Sequence, residues 1–161
     1  MITSNIGKIF LDAYNEEYGT SYDAYTFFLE QFYPLFFDQN KYMMTAGNSP
    51  LENPKLSWDD MIKGKKPYET PEQRKSRFEK LIKKIDESKA DSSIARGYAS
   101  LDITATTSGQ VSDLKLPNSQ EEIYTSWIGD ALGVGVQGGL SILFRKKEIL
   151  LDIFKGWKLY R

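Results

Sequence analysis

The sequence predicts an α+β fold, with about five helices packed on a small two- or three-stranded, largely antiparallel sheet. Three observations predict it. Apolar residues recur at helical spacing in the early, middle and final parts of the chain, the period drops to two after Tyr98, and glycine and proline clusters punctuate the changes.

Ile6, Ile9, Phe10, Ala13 and Tyr14 form one stripe of a first helix, preceded by Ser4-Asn5 and closed by Gly19. A second helix is expected after Thr20-Ser21, running to about Tyr33, where Pro34 kinks it or opens another short helix. Between Tyr22 and Tyr42 nine of twenty-one residues are aromatic, more than one helix face can hide. The first reading is that this segment is the central core element, because aromatic burial dominates packing. The second is that a surplus, Tyr22, Tyr25, Phe36, Phe37 and Tyr42, faces a protein partner or stacks on bases.

From Met44 to Tyr68 turn chemistry takes over and predicts a long ordered loop, with Ser57–Ile62 as its single helical turn. Residues 1–161 are read as one domain, and any subdomain boundary falls in the loop 45–69. A marked helix follows: Thr70 as N-cap, Pro71 at the first helical position, Gln73 completing a capping box, and an apolar stripe of Phe78, Leu81, Ile82 and Ile85. It is expected to fade between Ser88 and Ser92.

Leu101, Ile103 and Ala105 alternate with polar residues in a strand over Tyr98–Thr106, and Thr107-Ser108-Gly109 turns it into a second strand over Val111–Leu116. Ser119 and Glu122 form the next capping box, ahead of a helix with a broad apolar face ending at Gly133. Beyond the glycines, Leu140–Phe144 reads as a short buried strand, and an amphipathic helix from about Lys146 turns Ile149, Leu150, Ile153, Phe154 and Trp157 inward. The opening aromatic helices are expected to pack on the hairpin and on the Ser119–Leu132 helix.

Neither cysteine nor histidine occurs in the 161 residues. Thiolate sites, imidazole ligands and histidine-based acid–base catalysis are therefore excluded, and no cofactor is expected. The N-terminus lacks the pattern of a secretory signal, and no apolar run approaches the ~20 residues of a membrane span, so the expectation is a cytoplasmic protein without a membrane partner. Its Lys-, Asn-, Tyr- and Ile-rich usage suggests a bacterial or phage source.

The net charge of −1 hides segregation: residues 1–62 carry −6, 63–89 carry +5, 90–144 carry −4 and 145–161 carry +4. Within the basic helix Arg77, Lys80 and Lys84 recur on the side opposite the apolar stripe. The only acid at helical spacing from any of them is Glu87, while Glu79 can pair with Lys83. Lys65 and Lys66 upstream, and Lys155 and Lys158 on the last helix, can extend this surface along phosphates.

Two weaker motifs stand beside it. Gly133, Gly135 and Gly138 match G-x-G-x-x-G, but a helix precedes them and a strand-like run follows, the reverse of a dinucleotide site. A helix stop at Gly133, and a bulge or close backbone packing at Gly135, Gly138 and Gly139, are the expectation instead. Asp102 and Asp113 on the two expected strands are the candidates for carboxylate-only magnesium chemistry, yet the acid-x-lysine element of such nucleases is absent. The leading expectation is a non-catalytic nucleic-acid-binding module within a larger assembly. The alternative is a protein-binding regulator or inhibitor using the aromatic segment and acidic patches, and a magnesium nuclease ranks third.

Overall fold

The computed structural model describes residues 1–47, 49–52, 55–87, 93–98, 119–137 and 140–161, without the side chains of 55–58. Helix α1 (Ile2–Tyr18) is followed by α2 (Ala24–Phe27), a π-helical segment (Phe28–Phe32) and α3 (Tyr33–Phe36), which run on as one helix. Then come α4 (Lys55–Ile62), α5 (Pro71–Glu87), α6 (Gln120–Ala131), strands β1 (Val134–Val136) and β2 (Leu140–Ile142), and α7 (Lys147–Tyr160). The strands pair antiparallel, with Val134 opposite Ile142 and Val136 opposite Leu140. The chain thus has the α+β class with a small antiparallel sheet.

The described sheet takes one strand from the expected Leu140–Phe144 run and the other from the glycine-rich stretch before it. Beyond Tyr98 the hairpin expected over 98–116 lies outside the described residues, as do the helix end at 88–92 and Gly138 and Gly139. The described hairpin grows from the glycine-rich stretch, and β2 is exposed at all three positions instead of buried. Gly133 marks the end of α6 as expected. No packing demand holds Gly135, because a Cβ there would meet no atom within 4 Å.

At its start α1 also departs from expectation: it begins at Ile2, so Ser4-Asn5 is not its cap. Ser4 is buried inside the helix, its hydroxyl 3.3 Å from that of Tyr98. At the other end Gly19 adopts φ +62°, and its N–H returns to the Asn15 carbonyl, the left-handed stop that favours glycine.

The most extensive helix pairing is α1 on α6. It is close because Gly7 and Gly129 face the opposite backbone. A Cβ built on Gly7 would lie 1.9 Å from the Thr125 carbonyl oxygen, and one on Gly129 1.9 Å from that of Thr3. Around this crossing Phe10, Phe27, Tyr14 and Phe154 pack ring to ring at 5.0–5.8 Å. Residues 93–98 are clamped over α6: the Trp127 indole donates to the Ile94 carbonyl at 2.8 Å, and Thr3 Oγ1 donates to that of Arg96 at 2.8 Å. Arg96 itself lies over the Trp127 ring and pairs with Asp130 at 2.8 Å.

The π-helical turn has a local cause. Pro34 has no N–H, and in an unbroken α-helix its ring presses on the carbonyl one turn back; widening the preceding turn removes that clash. The N–H of Tyr33 accordingly reaches five residues back to the Phe28 carbonyl. Phe28, Phe32 and Phe36 stack along one line at 5.0 and 4.6 Å. The aromatic segment is therefore core, and Phe27, Phe28, Phe32, Phe36 and Phe37 are fully buried.

Tyr33 is buried with them, but its hydroxyl has no hydrogen-bond partner among the described residues. Burial, with the Asp38 carboxylate adding to it, pushes that hydroxyl up from 10.0 to about 12. The folded state favours the neutral phenol, so this contribution to stability is full below pH ~10 and lost as pH rises towards 12.

Two outcomes follow for urea unfolding. Gly7→Ala and Gly129→Ala each destabilise by about 1–3 kcal/mol or more, since backbone must move, whereas Gly135→Ala stays within ~0.5 kcal/mol. Tyr33→Phe stabilises by about 1 kcal/mol by removing an unsatisfied buried hydroxyl, and reduces the stability lost between pH 10 and 12.

Candidate functional site

Helix α5 positions the predicted cations. Thr70 and Gln73 form the expected capping box, the Thr70 N–H donating to Gln73 Oε1 at 2.9 Å and the Gln73 N–H to Thr70 Oγ1 at 3.3 Å. Leu81 and Ile85 are buried, and Phe78 lies against Tyr33 with ring centres 4.1 Å apart. That inward stripe fixes the rotation of the helix, leaving Lys80 and Lys84 exposed.

On the edge of α5 is a cleft of about 460 Å³ lined by Pro50, Glu69, Gln73, Ser76, Arg77 and Lys80. Arg77 is held firmly in its wall. Its Nε donates to Glu69 Oε1 at 2.6 Å and Nη1 to the Glu52 carbonyl at 3.0 Å, while Tyr42 donates to Glu69 Oε2 at 2.9 Å. Both Glu69 carboxylate oxygens are thus engaged and the side chain is only 13% exposed. Burial, with the Glu69 charge beside it, raises the Tyr42 pKa well above the ordinary phenol range. Arg74 braces the same corner, donating to Asp38 at 3.0 Å and to the Glu69 carbonyl at 2.7 Å.

The continuous stripe of Arg77, Lys80 and Lys84 is therefore modified. Arg77 is a paired, structural cation, whereas the side chains of Lys65, Lys80 and Lys84 have no partner among the described residues. Lys66 pairs with Asp60 at 3.5 Å. Elsewhere on α5 the pairs are Lys75 with Glu79 and Lys83 with Glu87, each at 3.9 Å, instead of Glu79 with Lys83. Lys84 thereby keeps no acid among the described residues, although Glu87 stood at the right spacing for it.

Lys155 and Lys158 do not extend this surface. Helix α7 lies along α1, while α5 lies along α6. Lys155 turns to Glu17 at 3.6 Å, and the Lys158 ammonium sits 4.9 Å from the centre of the Phe154 ring and 5.5 Å from that of Tyr14. The partner-facing aromatic set is likewise corrected: Phe36, Phe37 and Tyr42 are core, and Tyr22 is half-buried against Tyr14 and Phe27. Only Tyr25 of the five is exposed, resting on Tyr124.

Asp102 and Asp113 lie outside the described residues, and among the described ones no group of three or more acids is placed to hold a metal ion. At the glycines a helix leads into a hairpin, not a strand into a helix, so the phosphate-cradling geometry of a dinucleotide site is absent there. Sequence reasoning missed the hairpin face. Val134, Val136, Leu140 and Ile142 share one side of it and all are exposed. Arg145 and Lys146 follow without partners among the described residues. No family model, curated protein or solved structure matches the chain.

Removing the Glu69 charge tests whether Arg77 is held as described. Glu69→Gln is expected to cost about 1–3 kcal/mol in urea unfolding, because a charge-assisted pair becomes a neutral one in a largely enclosed corner.

Proposed function

We propose that this chain is a non-catalytic nucleic-acid-binding module, working within a larger bacterial or phage assembly, that holds backbone phosphates along the outer edge of α5. The observation that carries this reading is the cleft in which Arg77 and Lys80 stand beside the Ser76 hydroxyl and the Gln73 amide, with Lys84 one turn further on. Arg77 is fixed in place by Glu69 and Lys80 is free to swing, a rigid and a mobile cation on one rim.

The physics favours an anion there. Lys80 and Lys84 are four residues apart on one helix, a spacing at which like charges repel by a few tenths of a kcal/mol, roughly 0.2–0.5. A bound phosphate relieves that repulsion, and counterion release supplies the affinity. Without histidine or cysteine, hydrolytic and redox chemistry have few side chains to run on.

A second reading, a protein-docking module, is favoured by the exposed aliphatic hairpin face. The two surfaces are compatible in one assembly component.

Fluorescence anisotropy with labelled single-stranded and duplex oligonucleotides tests the first reading. Affinity should fall with salt at a slope of about −0.7 per phosphate contact for single strands and about −0.9 for duplex. The double substitution Lys80→Glu with Lys84→Glu should weaken binding and flatten the slope by about two contacts. Glu69→Gln, which removes the carboxylate from the cleft, should tighten it. No binding at low salt overturns the reading.

A further inference from the structure

A second cleft, of about 480 Å³, lies between the hairpin and the last helix. One wall is β1, contributing Val134 and Gly135; the other is α7, contributing Gly156, Trp157 and Tyr160; Lys41 stands at its rim. Both walls are bare where they face each other. A Cβ at Gly135 or at Gly156 would meet nothing within 4 Å.

Gly156 is the more informative of the two. Glycine inside a helix is unfavourable relative to alanine, and here no neighbour among the described residues demands it. Its place in the cleft wall is explained if a backbone passes close over it. Trp157 beside it is a fixed wall: its indole N–H donates to the Ala131 carbonyl at 3.0 Å and its ring meets Phe36 edge-on. Tyr160 next along is 68% exposed. On the opposite wall β1 pairs with β2 alone among the described residues, and none of these pairs with its outer edge. An open strand edge facing a helix across an apolar cleft is the geometry in which an extended peptide adds to a sheet.

We propose that this cleft takes an extended segment of a partner protein as a third strand on β1, its backbone passing close over Gly156 beside the edge-on Trp157–Tyr160 ring pair, and a carboxylate of the segment meeting Lys41. Charge complementarity decides the occupant's sign. Lys41, the one cation lining the cleft, is exposed and has no partner among the described residues, and no acid lines the cleft. The alternating side chains of the added strand match the aliphatic face of Val134, Val136, Leu140 and Ile142.

The test screens the purified chain against an arrayed library of extended peptides of about six residues, randomised in sequence. Enrichment is expected for peptides with aliphatic residues at alternate positions and an acid at one end. Gly156→Leu fills the cleft without harming the helix, and should weaken the selected peptides at least about tenfold, as should N-methylation of their alternate amides. Lys41→Glu should weaken acidic peptides and spare basic ones, while Lys80→Glu with Lys84→Glu should leave peptide binding intact, separating this surface from the phosphate-binding edge. No enrichment, or selected peptides that keep their affinity for Gly156→Leu, overturns the proposal. Dimerisation by sedimentation velocity that Gly156→Leu abolishes overturns it in favour of a second copy as the occupant.

Discussion

Helices α1 and α6 approach so closely that their backbones touch, and this contact sets the positions of nearly everything around it. Gly7 meets the Thr125 carbonyl and Gly129 meets that of Thr3, leaving no room for a methyl group on either side. At that separation the neighbouring hydroxyls become part of the interface. Ser126 Oγ donates to the Ile123 carbonyl at 2.6 Å and accepts the Arg96 N–H at 2.9 Å, tying residues 93–98 to α6. Helix α7 packs along α1 from outside, and the aromatic helix fills the angle beneath. Small side chains at the crossing are thus what allows large ones to close around it.

Much of this was readable from residues near in sequence. The α1 stripe with its glycine stop, the α5 capping box and the α7 amphipathic face depend on local spacing, and each stands where spacing put it, apart from the earlier start of α1. The crossing left a fainter trace: Thr3 and Gly7, and Thr125 and Gly129, are small pairs four residues apart. The first strand of the hairpin was obscure for a physical reason: it is three residues long, centred on a glycine, and exposes its aliphatic side chains, whereas the second lies within the expected Leu140–Phe144 run.

Charge was harder to read than shape, because pairing is non-local. Arg77 finds Glu69 eight residues away, across the helix start, and Arg74 finds Asp38 at a separation of thirty-six. Neither lies at helical spacing, so a stripe counted on one helix overstates the free cations. The lysines of α7, which looked equivalent to those of α5, are drawn to the acidic end of α1, where Glu16 and Glu17 receive Lys147 and Lys155. The segregated blocks of the sequence largely neutralise one another across the fold. Within the 63–89 block, the cations left over among the described residues are Lys65, Lys80 and Lys84, a smaller and better-defined surplus than the sequence suggested.

The π-helical turn ahead of Pro34 shows how so many aromatic rings fit in one interior. A residue taken up in a wider turn offsets the downstream helix by about one residue's rotation, ~100° in an α-helix. Phe27 packs on Phe10 and Phe154, Phe28 and Phe37 on Trp127, and Tyr33 on Phe78, so one continuous helix fills core on more than one side. The helix works as an angular joint whose setting is counted in residues. A single-residue deletion between Phe28 and Phe32 would re-aim Tyr33, Phe36 and Phe37 together, so this stretch should tolerate changes of side chain far better than changes of length.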